Sequence, residues 1–284
     1  MRIVHSLADH DPSHGFVFVP TMGALHRGHA ALIRQGSKLA QERGFHGGCL
    51  VSVFVNPTQF DEKTDYTRYP RTLERDAQMC RDCGATVVWA PDAEEIYPAG
   101  TPKEYDGFLP PQAQHKGLED TARPGHLEGV VQVVTRLFEL VQPRAAIFGE
   151  KDWQQLQMIT QLAHQLRETN GWEIDIVPGP TVREGDGLAM SSRNVFLGQV
   201  DRVRAAGLRR ALLKAGTTHD PIEAEALLRD EIASAGIDID YVAIRDAHTL
   251  EPITSHDPSR AGRALAAGRL GNTRILDNCP WPLA

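Results

Sequence analysis

Two histidines three residues apart, His26 and His29, stand in PTMGALHRGH directly behind the hydrophobic run FVFV. A packing motif has no use for imidazoles at that point, and a plain surface turn needs no strand aimed at it. Residues i and i+3 share a face of a helix. A helix starting here places both rings at its first turn, where unpaired backbone N–H groups and the dipole favour anions. Gly23 and Gly28 remove side chains, so that a phosphate can approach the backbone. Imidazoles donate hydrogen bonds to phosphate oxygens and stabilise charge growing on a departing pyrophosphate. Two cap-region histidines without function, or half of a metal site, are the alternatives. H-x-x-H with no third ligand nearby is a weak zinc signal. The stretch also lacks the lysine of a P-loop.

Further polar clusters follow other hydrophobic runs. NPTQF (56–60) brings Asn56 and Gln59, neutral groups suited to a small ligand with hydroxyls, or to capping a turn. GEKDWQQ (149–155) brings Lys151, which can neutralise a phosphate, and Asp152, which can hold a metal or a ribose; a solvated pair is the alternative. MSSRN (190–194) offers two hydroxyls and a guanidinium fork suited to phosphate oxygens, although such a string is common on surfaces. Arg123 and His126 in RPGH can face a carboxylate or simply cap a helix.

The elements that must position these groups alternate in type. Apolar, β-rich runs occur at 16–19, 49–55, 86–90, 145–148 and 172–177, and helical patterning at about 28–43, 70–83, 127–141 and 153–168. Strands alternating with helices imply right-handed βαβ units and a parallel sheet. Nearly continuous apolar runs imply that helices cover both faces. The expected fold class is therefore α/β, a Rossmann-like parallel sheet with helices on both faces. Ligands of such sheets bind beyond the carboxyl ends of the strands, so the topology gathers the polar clusters at one edge. That convergence weighs more than any single motif.

Residues 91–126 form a Pro- and Gly-punctuated connection too long for an ordinary loop, which points to function or disorder. Beyond about residue 180 the pattern changes to two helices within 199–236, broken at THDP, and short strands at 238–246, 263–269 and 273–277. We expect a first domain over 1–180 and a smaller α+β domain over 181–284.

The chain has 284 residues, 41% of them hydrophobic and 24% charged, with a formal net charge of −7. That balance argues against broad binding to a nucleic-acid backbone but leaves room for a local basic pocket. No run of apolar residues is long enough to span a membrane, and the N-terminus has no apolar signal core. Cys80 and Cys83 form a C-x-x-C inside a helical pattern, with no second pair at zinc-finger spacing among the four cysteines. Free thiols in a reducing cytosol are the expectation.

Taken together and in order, PTMGALHRGH, VSVFVNPTQF, YPRTLERD, RPGHLEGV, FGEKDWQQLQMI and VREGDGLAMSSRN closely resemble the pantoate–β-alanine ligase family over about residues 16–197. GRLGNTRILDN extends the likeness loosely toward the C-terminus. The first motif alone reaches only the wider class of H-x-G-H nucleotidyltransferases. The resemblance implies a C-terminal lid domain, a homodimer in the cytoplasm, and ATP with Mg2+. It implies two steps: pantoate attacks the α-phosphorus of ATP, and the amine of β-alanine then attacks the pantoyl adenylate. By the same resemblance, His26 and His29 contact phosphate, His29 as proton donor. Met22, Gly23, Ala24, Leu25, Arg27 and Gly28 accompany them at the nucleotide, as do Gly149, Glu150, Lys151, Asp152, Val182, Met190, Ser191, Ser192 and Arg193. Lys151 and Arg193 join the histidines in catalysis. Gln59 and Gln155 bind pantoate, supported by Asn56, Arg123 and His126, and Asp76 ligates magnesium. Arg27 stands where an acidic residue is usual, and it is expected to point outward. Leu127, Glu128 and Arg75 also depart from the family pattern. A second copy is expected to pair through a strand such as 113–117 or an exposed apolar edge. The rivals are a nucleotidyltransferase with another acceptor, against which the neutral Gln59 and Gln155 argue, and a silent nucleotide-binding protein, against which the full set of phosphate-site residues argues.

Overall fold

A computed structural model describes residues 1–60, 63–102, 104–255 and 257–283. In chain order its elements are β1 (Arg2–Val4), β2 (Phe16–Thr21), α1 (Arg27–Glu42), β3 (Gly48–Val53), α2 (Lys63–Arg68), α3 (Leu73–Asp82), β4 (Val87–Trp89), α4 (Ala93–Ile96), α5 (Glu119–Ala122), α6 (His126–Val141), β5 (Ala145–Gly149), α7 (Trp153–Asn170) and β6 (Asp175–Gly179). The remainder are α8 (Gln199–Ala205), α9 (Gly207–Ala215), α10 (Pro221–Ser234), β7 (Asp238–Asp246), β8 (Gly262–Leu270) and β9 (Thr273–Trp281).

Alternation along the strands decides where each helix packs. Side chains of successive strand residues point to opposite faces. Phe16 and Phe18 of β2 enter one core with Val130, Val134 and Phe138 of α6 and Leu156, Ile159 and Leu162 of α7. Val17 and Val19 enter the other, with Ala30 and Ile33 of α1 and Cys80 of α3. Phe138 meets Phe18 and Phe148 edge-on, at ring distances of 6.5 and 6.3 Å. Both sheet faces are thus covered, as the continuous apolar runs implied.

The six strands lie in the order β1-β4-β3-β2-β5-β6, and every pairing is parallel. From β2 the chain steps outward to β3 and β4, then crosses back to β5 on the other side. This reversal beside β2 leaves a crevice at the carboxyl ends of the strands. The second sheet is antiparallel, β7-β8-β9, and buries its face against Leu208 and Leu212 of α9 and Leu228 and Ile232 of α10. The expected fold class is what the chain adopts.

Details differ from the sequence expectation for local reasons. β1 has three residues, too few to show any periodicity, and lies at the sheet edge against β4. β6 begins at Asp175 rather than at 172, because α7 runs on to Asn170 and closes on Gly171 at φ 71°. Pro178 inside β6 is tolerated because the strand is an edge. The region 199–236 holds three helices, since the chain also breaks at Ala206, between α8 and α9. The later break falls at THDP as expected, with Asp220 capping α10 and Pro221 at its first position. No strand forms at 113–117. Ala113 ends a 3-10 turn, and His115 and Gly117 have φ of 55° and 70°, which an extended strand cannot accommodate.

All four cysteines are free and buried. Burial pushes the Cys80 thiol up to about 12, so it carries no reactive thiolate near neutrality. Among the described residues, no helix is long and apolar enough to cross a membrane.

Candidate active site

A cleft of about 870 Å³ opens at the carboxyl ends of β2, β3, β5 and β6, with β8 and β9 of the second sheet forming its far wall. Its lining includes Met22, His26, Gly28, His29, Asn56, Gln59, Arg123, His126, Gly149, Lys151, Asp152 and Gln155. Val182 and the run Met190, Ser191, Ser192 and Arg193 complete the expected residues found there. The predicted convergence at one sheet edge is therefore realised.

The loop after β2 is held by a residue assigned another task. The Asp76 carboxylate, on α3, is fully buried and accepts the backbone N–H groups of Ala24 at 2.9 Å and Leu25 at 2.8 Å. The Thr72 hydroxyl donates to both of its oxygens at 3.2 Å. The expected role of Asp76 as a magnesium ligand is corrected on that ground: its oxygens are committed to the loop, and Asp76 does not line the cleft. Gly23 has φ 81° and its Cα hydrogen faces Asp76 and Val53, where a Cβ would lie 3.1 and 3.0 Å from them. Leu25 is buried in the core, and Gly23, Ala24, Leu25 and Arg27 do not line the cleft. Arg27 is 72% exposed and faces Glu184 at 3.5 Å.

His26 is the N-cap of α1, and its Nδ1 accepts the N–H of Gly28 at 3.1 Å. His29 Nδ1 accepts the N–H of His26 at 3.3 Å. The two rings satisfy the helix start reciprocally, as a capping box does. Gly28 also gives the His26 ring room: a Cβ there would sit 2.8 Å from it. Because both Nδ1 atoms accept, the neutral rings carry their protons on Nε2. Burial lowers the pKa of His26 to about 4, with Lys151 adding to the effect. Burial, then His26 and Lys151, lower that of His29 to about 3. Near neutrality the pair is thus uncharged, two Nε2–H donors with ring centroids 4.0 Å apart.

Gln59 is set by Asn56. Asn56, only 1% exposed, donates through Nδ2 to Gln59 Oε1 at 3.2 Å and to the Gly129 carbonyl at 3.1 Å. Its Oδ1 accepts from Tyr97 Oη at 2.9 Å. Asn56 thus holds the Gln59 side chain in place, and the Gln59 amide nitrogen faces Met22 Sδ at 2.8 Å. The Gln59 backbone carbonyl receives His126 Nδ1–H at 2.7 Å and Arg123 Nη2 at 3.5 Å. Burial, reinforced by Arg123, lowers the pKa of His126 to about 4. Helix α6 comes so close to this turn that a Cβ on Gly129 would lie 2.3 Å from the Thr58 carbonyl oxygen.

Lys151 and Asp152 sit 3.4 Å apart on the loop after β5. Glu150 does not line the cleft; its side chain faces Arg263 at 3.7 Å. Ser191 Oγ caps the turn by accepting Arg193 N–H at 3.3 Å, and Ser192 Oγ donates to the Ala24 carbonyl at 3.1 Å. The Ser192 hydroxyl thus fastens the MSSRN loop to the histidine loop.

Sequence reasoning missed the second sheet's part in the site. Asn278 donates to the carbonyls of Glu150 and Lys151 at 2.9 and 2.8 Å, clamping the lysine loop. Arg263 holds Asn278 at 2.7 Å and lies over the Trp153 ring at 3.6 Å. Asp277 forks with Arg183 at 2.6 and 3.0 Å, fixing the base of the 183–190 loop. Glu119, Tyr241 and Arg274 also line the cleft. The only signal was GRLGNTRILDN, which carries Arg274, Asp277 and Asn278 but announces no chemistry by its spacing.

The cleft brings the imidazoles of His26 and His29 and the cations Lys151 and Arg193 together with the amides of Gln59 and Gln155 and with Arg123. Among the described residues, no group of three or more His, Cys, Asp or Glu side chains could hold a metal ion. Comparison with known proteins gives the chain's relatives. The family described as "Pantoate-beta-alanine ligase" matches residues 2–280. The pantothenate synthetase of a Nocardioides species is 44% identical over 271 residues, covering 93% of this chain and 78% of its own. The crystal structure of pantothenate synthetase from Thermus thermophilus superposes with a TM-score of 0.86 at 40% identity, covering 98% of this chain and 99% of its own. The pantoate-beta-alanine ligase of Francisella tularensis, solved with beta-gamma ATP and beta-alanine, gives 0.77 at 30% identity, covering 98% and 97%.

Two outcomes are expected from this geometry. Gly129→Ala forces α6 away from the Thr58–Gln59 turn and should destabilise the fold by about 1–3 kcal/mol, read from urea midpoints. An unchanged midpoint would mean that the turn yields without cost. The second concerns pH. His26, His29 and His126 have folded-state pKa values of about 4, 3 and 4, below the ordinary 6.5. As pH falls below about 6.5 the unfolded chain takes up protons first, so stability should fall until the folded values are reached. The urea midpoint of the wild type should drop between about pH 7 and 5, and His26→Gln/His29→Gln should show a smaller drop. Equal drops would contradict the neutral pair.

Proposed function

The chain belongs to the pantoate–β-alanine ligase family, and we propose that its cleft performs the ATP-dependent ligation of pantoate to β-alanine with the residues assembled above. The observation that carries this assignment is the pairing of an Nε2–H donor site with a separate neutral amide site in one cleft. A carboxylate is a poor acylating agent. Attack of a pantoate carboxylate oxygen on the α-phosphorus of ATP forms an acyl–O–P bond and expels pyrophosphate. The amine of β-alanine then forms the amide bond, and the C–O bond to AMP breaks. Neither step needs a covalent protein nucleophile; both need positioning and charge stabilisation.

In this reading His26 and His29 donate through Nε2 to phosphate oxygens, beside Lys151 and Arg193. His29 can act as a proton donor only once bound phosphate has raised its pKa from about 3. Gly28, Gly149, Asp152, Val182, Met190, Ser191 and Ser192 shape the nucleotide pocket, and Gly23, Ala24, Leu25, Arg27 and Glu150 act only through the loops they belong to. Gln59 and Gln155 hold pantoate, with Arg123 and His126 near its carboxylate. Since Asp76 does not fit a metal, a magnesium ion would arrive on the ATP phosphates, as magnesium commonly does. The separate hydrophobic cores support two domains, 1–180 and 181–284. The family resemblance supports a cytoplasmic homodimer.

The first test is release of pyrophosphate and AMP from Mg-ATP by the purified protein. Pyrophosphate should appear with pantoate alone, and AMP and pantothenate only when β-alanine is added. His29→Ala should slow pyrophosphate release by about 100-fold or more while the protein stays folded. Near-normal turnover in that variant would remove His29 from the mechanism. Sedimentation equilibrium should give twice the mass of one chain, and the mass of a single chain would refute the dimer.

A further inference from the structure

Glu119 is a buried carboxylate that the ligation chemistry does not use. It is 8% exposed, opens α5, and its backbone N–H is fixed by Gln154 Oε1 at 2.8 Å. Arg274 of β9 donates to it as a fork, Nη1 to Oε2 and Nη2 to Oε1, both at 2.8 Å. Tyr241 of β7 donates its hydroxyl to Oε1 at 2.8 Å. Arg274 is itself steadied by Asp240, which accepts from Nε at 2.6 Å. On the opposite side, Arg123 Nη1 stands 3.9 Å from Oε2.

The connectivity runs across the cleft. Arg274, Tyr241 and Asp240 belong to the three-stranded sheet, whereas Glu119 and Arg123 belong to the connection before α6. Arg123 and His126 both reach the backbone carbonyl of Gln59. The three-stranded sheet is therefore tied, through one carboxylate, to Arg123, which reaches the backbone carbonyl of Gln59. Desolvation works against an ionised Glu119, but the charge and hydrogen bonds of Arg274, with His126 and the Tyr241 hydroxyl, together outweigh it, and the carboxyl stays below its ordinary pKa. A buried fork of this kind is geometrically demanding, and removing one member leaves an uncompensated charge. Without the Glu119 charge, Arg274 and Arg123 would face each other across the same space and repel.

Resting on the ligase reading, we infer that Glu119 is a positioning residue for the pantoate end of the cleft: its fork with Arg274 and its attraction for Arg123 fix the arginine and the Gln59 backbone in register with the three-stranded sheet. The nucleotide end hangs from other contacts, those of Asp76 and Asn278. A positioning role for Glu119 must therefore act on one substrate and spare the other, whereas a merely structural role would act on both.

The test is steady-state kinetics of Glu119→Gln, nearly isosteric but uncharged, beside the wild type. The KM for pantoate should rise by about 10-fold or more, while the KM for ATP should move by less than about 2-fold. The double variant Glu119→Gln/Arg123→Lys should raise the pantoate KM by less than the product of the two single effects, because the residues act as a unit. If Glu119→Gln does not fold, Tyr241→Phe removes a single hydroxyl from the same carboxylate and should raise the pantoate KM by about 3-fold with ATP unaffected. Pantoate and ATP constants that move together, or a pantoate KM that does not move, overturn the inference. A wild type that makes no pantothenate refutes the ligase reading and the inference with it. A wild type that ligates beside a variant with parallel losses refutes the inference alone.

Discussion

The buried carboxylate of Asp76 sets the geometry on which the site depends. It collects two consecutive backbone N–H groups, those of Ala24 and Leu25, and so forces the chain leaving β2 into a tight turn. Ala24 adopts φ 49° there, an uncommon conformation for a residue with a side chain. The turn delivers His26 to the N-cap of α1, and the cap fixes which ring nitrogen of each histidine carries the proton. Ser192 ties its loop to the same turn through the Ala24 carbonyl. One side chain on a neighbouring helix thus positions two imidazoles and anchors a third segment.

Much of the fold was legible because its physics is local. Phe16 to Val19 read as a strand covered on both sides, and the structure puts Phe18 and Val19 in different cores. The helix beginning at Trp153 and that beginning near His126 matched their apolar spacing. Elements set by tertiary contact were not legible. β1 exists because β4 offers it an edge. The expected strand at 113–117 gave way to the backbone of His115 and Gly117. The motifs marked the residues facing the cleft but not those holding them. Asp76 has the composition of a metal ligand, and only its burial and its two amide partners assign it to the loop. Glu119 and Arg274 lie 155 positions apart, a separation at which spacing carries no signal.

The two sheets divide the labour unequally. The parallel sheet supplies most of the motif residues that line the cleft, because its strands end there. The antiparallel sheet supplies constraint: Asn278 on the lysine loop, Asp277 on Arg183, and Arg274 on Glu119. All three belong to the single strand β9. That strand, paired along its length with β8, thereby holds three separate loops to one reference frame.

On the proposed reading, the neutrality of the histidine pair bears on turnover as well as on binding. A cationic donor adds Coulomb attraction to the hydrogen bond it makes with a phosphate oxygen. A pocket walled entirely by permanent cations would grip a released polyanion as firmly as the nucleotide that produced it. On the proposed reading, two donors that rest uncharged, with their protons held on Nε2 by the helix cap, direct the phosphate oxygens without adding fixed charge to the cleft. On that reading the leaving product meets a shallower electrostatic well on its way out of the cleft, past the same cap that would orient the next nucleotide.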